Sequence, residues 1–335
     1  MANTTQPTTQ TFIFLPFMAV VAGFTTIPSR LRNGGVGVRP TLASLAAQSR
    51  PLSAIVMVVP LKSMRGTLPG VDAAAVTAAD IRALQLWYSM VVVGARGHGT
   101  TPPLVVHRPM DDLGPIMKYV GTAEALAAAE PLAAAEPLGA AESPRFAVIV
   151  DDDREYPPGF VASLAAQAAR LPADAVDTTV LSQQTALQRL HPKLLSVFGF
   201  AGVWVPVAAL QRLAARTRAL AAASGGSLPR FAALNDDVLA AILMDKDGTR
   251  IRRFARDTPR VPRADDSEDA LSAAAQSTKT LQIMQCHYAY NQPFATAATA
   301  IAVLLLLVML ALVVVGAVYI ARAAKTARRK APVAT

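Results

Sequence analysis

The chain has 335 residues, of which 53% are hydrophobic, and it carries a formal net charge of +9. Its single cysteine, Cys286, excludes an intramolecular disulfide and a cysteine-based zinc cluster. Five of the last fourteen residues are basic and supply more than half of the net charge, so the charge does not predict a nucleic-acid partner.

The N-terminal segment 1–16 begins with a polar, Thr-rich stretch and is predicted to be disordered. The apolar run Phe12–Phe24 that overlaps it fits either a signal-peptide core or a first buried strand over Phe17–Gly23. It has no basic residues before it and contains Pro16, which favours the strand.

A polar turn, residues 25–30, follows this strand. Leu42, Leu45 and Ala46 then have helical spacing, with Thr41 as the predicted N-cap. Ala54–Pro60 is predicted to be a second buried strand. The order strand, helix, strand implies a parallel pair in an α/β sheet of the nucleotide-binding type.

The next elements are a helix over Ala79–Leu86, a strand over Leu104–His107 and a loop over Met110–Tyr119 that enters a helix. A Leu-Ala-Ala-Ala-Glu-Pro repeat follows, and we interpret 122–143 as a solvated low-complexity insertion. Its prolines are expected to stop any long helix.

The central motif of the chain is an apolar run, Phe146–Val150, that leads directly into Asp151, Asp152 and Asp153. Such a run predicts a strand buried on both faces, and ligands of open α/β sheets bind at the carboxyl ends of the strands. Three adjacent carboxylates repel one another unless a cation lies among them. Oxygen ligands suit Mg²⁺ or Mn²⁺, with a phosphate completing the shell. A solvated acidic turn is the alternative.

The second half of the chain continues the α/β pattern. It predicts helices over Pro158–Leu171 and Ala208–Ala223, a strand over Val176–Leu181, and an apolar segment, Phe198–Pro206, whose glycines let backbone approach a ligand. Asn235, Asp236 and Asp237 then open an apolar helix. One such residue suffices as a cap, so three in a row favour a functional site.

The C-terminal part predicts a membrane anchor. The basic, proline-spaced segment up to residue 263 closes the domain 17–263, and the polar segment 264–292 reads as a linker. Residues 293–321 contain no charge and are predicted to form a transmembrane helix, followed by the basic tail 322–335. The positive-inside rule places the domain across the membrane from the cytoplasm, in an endomembrane or Golgi lumen. A tail-anchored domain on the cytosolic face is the alternative.

Five motifs in order make the chain resemble glycosyltransferases of the GT-A fold, in the broad family-2-like group. They are Thr26–Arg30, Asp112–Lys118, Asp151–Asp153 with Tyr156-Pro-Pro158, Gly199–Val203 and Asn235–Asp237. The resemblance covers roughly Phe17–Arg253 and implies a mostly parallel α/β sheet flanked by helices.

The resemblance also assigns roles to residues. It places one set of residues near the nucleotide-sugar donor: Thr26, Pro28, Ser29, Arg30, Gly114, Lys118, Asp151, Asp152 and Gly202. Asp151 and Asp153 hold the divalent metal, Mn²⁺ or Mg²⁺, and Asn235 and Trp204 lie on the acceptor side. The acceptor is a glycan, a lipid or a protein.

Sugar transfer from a nucleotide donor requires stabilisation of the leaving diphosphate and a base for the acceptor hydroxyl. A metal stabilises the departing diphosphate, and Lys118 and Arg30 add cationic contacts to phosphate. A carboxylate base, Asp237 or else Asp236, takes the proton of the acceptor hydroxyl, which implies inversion. The helix N-terminus is expected to lower the pKa of that base.

Two alternatives come from other classes of protein. Asp151-Asp152-x-x-Glu155 also matches the acidic motif of prenyl-diphosphate enzymes, but those motifs lie on helices whereas Phe146–Val150 is strand-like. The other alternative is a catalytically inactive, membrane-anchored binding protein that keeps the fold.

Overall fold

The computed structural model describes residues 19–61, 76–96, 101–135, 145–183, 201–229 and 235–254, residues 196, 197 and 232, and scattered positions between 283 and 309. The predicted disordered segment 1–16, most of the linker 264–292 and the basic tail 322–335 lie outside this part of the chain. So does most of the predicted membrane span 293–321. No helix in the described part is long and apolar enough to cross a membrane.

The described chain forms a seven-stranded, mostly parallel sheet with helices on both faces, as the α/β patterning predicted. The strands are β1 (Val20–Thr25), β2 (Ala54–Val58), β3 (Leu104–His107), β4 (Phe146–Ile149), β5 (Thr179–Gln183), β6 (Val203–Pro206) and β7 (Arg250–Phe254). The helices discussed below are α1 (Pro28–Gly35), α2 (Arg39–Ala46), α3 (Ala78–Trp87), α4 (Met117–Ala135), α5 (Phe160–Ala168), α6 (Val207–Ala223) and α7 (Asp236–Lys246).

The strand order is β3-β2-β1-β4-β6-β5-β7, and β6 alone runs antiparallel to its neighbours. The first two strands pair in parallel, with Val21 opposite Ala54, which confirms the predicted parallel pair. The chain extends the sheet from β1 through β2 to β3 and then returns to the other side of β1 to form β4. The sheet therefore reverses its direction of growth between β1 and β4, and ligands of open α/β sheets bind at such a switch point.

The core has two layers because successive strand residues point to opposite faces. In β1, Val21 packs in the cluster under α4, α6 and α7, whereas Val20, Ala22 and Phe24 pack in the cluster under α1, α2 and α5. All six residues of β1 are buried. Covering on both faces explains why the central strands are continuous apolar runs rather than alternating ones.

Close packing holds α4 against the sheet. A Cβ on Gly121 would lie 2.4 Å from Val58, and one on Gly23 would lie 2.2 Å from the Thr122 hydroxyl. Both distances are shorter than side-chain contacts allow, so the two glycines permit the helix to approach β1 and β2. This approach fixes the first turn of α4, which carries Lys118, at the carboxyl end of the sheet.

Three sequence predictions differ from the structure. The predicted insertion 122–143 continues α4 to Ala135 and passes through Pro131, and its first residues, among them Thr122 and Ala123, are buried. Packing against the sheet thus outweighs the local effect of the repeat; residues 136–143 lie outside the described chain. The apolar segment at Val203–Pro206 is a strand, and Arg250–Phe254, which overlaps the basic segment that closes the predicted domain, is a strand that pairs in parallel with β5.

Candidate functional site

The two acidic clusters meet at the switch point. Asp151, Asp152 and Asp153 directly follow β4, and the backbone N–H of Val150 still bonds to the carbonyl of Gly23 in β1. Asp236 and Asp237 form the first turn of α7. The clusters are more than 80 residues apart in sequence, and one lysine from a third element joins them.

That lysine is Lys118, in the first turn of α4, whose side chain is only 5% exposed. Its Nζ lies 2.8 Å from Asp151 Oδ1, 2.7 Å from Asp236 Oδ2 and 3.1 Å from Asp237 Oδ1. These carboxylates raise the pKa of Lys118 well above its ordinary value, against the effect of burial. The ammonium is therefore charged at every physiological pH.

A second cation, Arg30 of α1, organises the other two aspartates. Its guanidinium bonds to Asp152 and lies 3.4 Å from Asp153 Oδ2. Arg154 approaches the other oxygen of Asp153, also at 3.4 Å. The sequence predicted that Lys118 and Arg30 contact a phosphate, whereas in the structure both contact the carboxylates of the site.

Helix α2 and the turn after it anchor the loop that carries the three aspartates. The sequence analysis did not predict this contact. The Thr41 hydroxyl lies 2.8 Å from the carbonyls of both Asp152 and Arg154. It does not cap its helix; the N-cap is Val38, and its side chain makes no capping bond. The Gln48 amide donates to the carbonyls of Tyr156 and Pro157. The sequence does contain a signal for it, because Thr41 is a polar residue beside the apolar positions Leu42 and Leu45 of the predicted helix.

Two tyrosines complete the surroundings of the carboxylates. Tyr156 is buried, and its hydroxyl accepts a hydrogen bond from the Asp151 backbone N–H at 3.0 Å. Tyr119 follows Lys118, and its hydroxyl donates to Asp237 Oδ1 at 3.3 Å. Burial, the largest cause, raises the pKa of both phenols well above the ordinary range, so both keep their protons.

The pKa of Asp237 is raised to about 7, which corrects the expectation that the helix N-terminus would lower it. Burial is the main cause, the charges of Asp236 and Asp151 add to it, and Lys118 acts in the opposite direction. Desolvation of a carboxylate thus outweighs the partial charge of the helix end. A carboxyl with this pKa exchanges its proton near neutral pH.

The other residues expected at the donor lie around the same edge of the sheet. Thr26 and Pro28 line a narrow cleft beyond β1 and β2, and Ser29 is exposed. The Thr26 hydroxyl is buried and bonds to no described residue. The Gly114 N–H donates to Asp112 Oδ1 at 2.8 Å, in the turn before α4.

Two predicted site residues belong to the core instead. Trp204, expected on the acceptor side, is 1% exposed in β6 and stacks on Phe146 with ring centroids 5.1 Å apart. Gly202, expected near the donor, is buried against the ring of Phe160. Asn235 is buried at the start of α7, and its side chain makes no capping bond to the helix.

A matched pair of glycine variants tests the packing role of Gly202. Its φ is +73°, and an added Cβ would lie 2.2 Å from Phe160, so Gly202→Ala combines left-handed strain with overpacking. We expect it to lower the free energy of unfolding by about 2 to 5 kcal/mol. Gly225→Ala has a φ of +80° and open space, so it loses only about 1 to 2 kcal/mol. Equal losses in urea denaturation would contradict the packing.

Two features of the site bear on whether it can hold a divalent cation, namely its net charge and its unbonded carboxylate oxygen atoms. Five aspartates face Lys118, Arg30 and Arg154, so two negative charges remain when every group is ionised. Oδ2 of Asp152 is buried and bonds to no group in the described chain. No cluster of three or more acidic, histidine or cysteine side chains with metal-binding geometry occurs among the described residues. The excess of negative charge and the unbonded Asp152 oxygen are the two features of the site that are compatible with a cation.

The comparisons with known proteins do not add a family. No protein-family model matches the chain, and no curated protein matches it.

The raised pKa of Asp237 predicts how stability depends on pH. Its folded pKa of about 7 exceeds its unfolded value of about 3.8, so the folded state binds more protons between these values. This contribution to stability is complete below about pH 4 and is lost as the pH rises through 7. We expect Asp237→Asn to flatten the fall in unfolding free energy over this range. A fall of unchanged size in urea titrations at a series of pH values would contradict the assignment.

Proposed function

We propose that this chain is a metal-dependent, inverting glycosyltransferase of the GT-A fold. It transfers a sugar from a nucleotide-diphosphate donor to an acceptor hydroxyl. The observation that carries the proposal is the meeting of two acidic clusters around buried Lys118, at the switch point of a parallel sheet. Ligand sites of α/β sheets occur at this place, and clusters of titratable groups with shifted pKa values mark candidate active sites.

The donor side of the proposal rests on the β1 end of the site. Thr26, Pro28 and Asp112 lie together at this edge of the sheet, and the buried Thr26 hydroxyl bonds to no described residue, so it has hydrogen-bonding capacity to spare. Asp151 and Asp153 would hold the divalent metal with the donor diphosphate. When bound, the metal supplies charge neutralisation for the departing nucleoside diphosphate.

The acceptor side rests on Asp237. Its side chain is 22% exposed, which leaves it accessible to an acceptor hydroxyl, and its pKa of about 7 suits a general base at neutral pH. The acceptor oxygen attacks the anomeric carbon while its proton passes to Asp237. The bond from that carbon to the phosphate oxygen breaks, and its electron pair leaves with the nucleoside diphosphate. Attack from the face opposite the leaving group inverts the anomeric configuration.

Membrane anchoring by residues 293–321 is part of the same proposal. The segment from Tyr288 to Ala321 contains no charged residue. Four described residues within it are helical and at least half exposed, namely Ile301, Val303, Leu305 and Met309. Large apolar side chains that the protein leaves uncovered are what a bilayer would cover. The side of the membrane on which the domain lies stays open between lumen and cytosol.

A catalytically inactive binding protein with the same fold is the second candidate, and one observation favours it. Both Lys118 and Arg30 are engaged by the aspartates of the site, so the cluster also serves as a buried ionic link between α1, α4, α7 and the loop after β4. A chain that had lost activity could retain this link for its stability.

Donor binding tests the proposal apart from turnover. We expect UDP or GDP at about 100 times its dissociation constant to stabilise the full chain by about 2.7 kcal/mol in Mn²⁺ and not in EDTA. Asp151→Asn should abolish the difference, whereas Asp245→Asn, on an exposed residue of α7, should keep it. Absence of any metal-dependent stabilisation in the folded wild type would contradict the glycosyltransferase. Binding without turnover of any donor would support the second.

A further inference from the structure

A second cleft, which we call the arginine cleft, lies away from the acidic site. It has a volume of about 380 Å³ and opens between α5 and the strands β5 and β7. In the strand order, β7 is three positions from β4, the strand that leads into the aspartates. At about 4.8 Å per strand this separation is about 14 Å. The volume is within the range of small-molecule sites.

Three cations line this cleft. Arg170 comes from the turn after α5, and Arg252 and Arg253 come from the edge strand β7. The described lining contains no carboxylate. Within the described chain, the side chains of Arg170 and Arg252 make no ion pair and no hydrogen bond. Arg170 and Arg252 thus give the cleft two positive charges that its described lining does not neutralise.

The rest of the lining suits an anion with an apolar part. Gln167 and Ser163 of α5 offer further hydrogen-bond donors. Leu181 and Phe254, both buried in the core, form an apolar floor.

We propose that the arginine cleft binds the phosphate group of an anionic ligand through Arg170 and Arg252. A guanidinium binds carboxylate and phosphate in the same two-pronged manner. Arg170 and Arg252 carry two positive charges, whereas a carboxylate carries one negative charge and two oxygens. A phosphate ester offers three free oxygens and up to two negative charges, which matches the lining better.

This phosphate could belong to a soluble organic phosphate or to a lipid headgroup, and two probes distinguish these sources. Inorganic pyrophosphate represents the soluble source, and vesicles containing phosphatidic acid represent the lipid source. Binding of each to the purified full chain is measured in EDTA, so that no metal contributes at the acidic site. Vesicles of phosphatidylcholine alone serve as the neutral control.

Charge-matched variants connect binding to the cleft. The double variant R170Q/R252Q removes two cleft cations. The control R82Q/R250Q removes two exposed cations elsewhere, and Arg250 lies on the same strand as Arg252. We expect R170Q/R252Q to weaken binding of one probe at least tenfold, while the control changes it less than threefold. Loss of pyrophosphate binding assigns a soluble ligand, and loss confined to phosphatidic acid assigns a lipid. If neither probe binds the wild type, or if both double variants bind equally, the proposal is overturned.

Discussion

Asp237→Asn is expected to lower the turnover number of sugar transfer by about 10²- to 10⁴-fold, the usual contribution of a general base. The amide has nearly the shape of the carboxyl and still accepts the Tyr119 hydrogen bond, but it cannot take a proton. The measurement is the steady-state rate of nucleoside diphosphate release at saturating donor and acceptor.

The dependence of the rate on pH adds a test that a merely structural role would not pass. The base must be ionised, so the wild-type rate should rise with pH through an apparent pKa near 7 and then level off. The acid limb should disappear in Asp237→Asn and persist in Asp245→Asn. If Asp236→Asn removes the limb and Asp237→Asn does not, the base has been assigned to the wrong aspartate.

Lys118→Met is expected to be the most destabilising single substitution in the site. It leaves Asp151, Asp236 and Asp237 without their shared cation, and the side chain it replaces is only 5% exposed. Loss of one partner of a buried ion pair costs about 3 to 5 kcal/mol. We expect a loss of this size in the free energy of unfolding at pH 8, measured by urea denaturation.

The pH dependence of that loss follows from its cause. Without the ammonium Asp237 loses the charge that opposes the rise of its pKa, so lowering the pH toward 4 neutralises this carboxyl and reduces the deficit. Arg212→Met is the matched control, because Arg212 pairs with Asp247 at the surface and is 45% exposed. It should lose less than about 1 kcal/mol. Similar losses for the two variants at pH 8 would contradict a buried network around Lys118.

The strands that depend on burial were the easiest to predict from the sequence. Ala54–Val58 and the run before Asp151 were found because a strand covered on both faces must be apolar throughout. The edge strand β7 was missed for the converse reason. Its sequence, Arg-Ile-Arg-Arg-Phe, is that of an exposed edge, where charged side chains discourage further pairing.

The members of the site could be predicted, but their contacts could not. The sequence pointed to Asp151, Asp237 and Lys118 separately. That one ammonium lies between the two acidic clusters depends on the close approach of α4 to β1. The direction of the Asp237 pKa shift was predicted wrongly because burial is a tertiary property that the helix position alone does not reveal.

Trp204 and Gly202 show a different limit. Both stand in an apolar, glycine-containing segment that is compatible with a ligand site, and the sequence does not reveal that β6 is covered on both faces. In the structure the indole stacks on Phe146, and the glycine accommodates Phe160. A large aromatic residue in an apolar strand is most simply explained by packing.

The most direct test of the account is nucleoside diphosphate release by the purified full chain. A panel of UDP- and GDP-sugars is incubated with the chain in Mn²⁺, in Mg²⁺ and in EDTA. The account predicts turnover of at least one donor that requires the metal, is lost in Asp151→Asn and survives in Asp245→Asn. Turnover that is unchanged in EDTA, or that is equal in both variants, would contradict it.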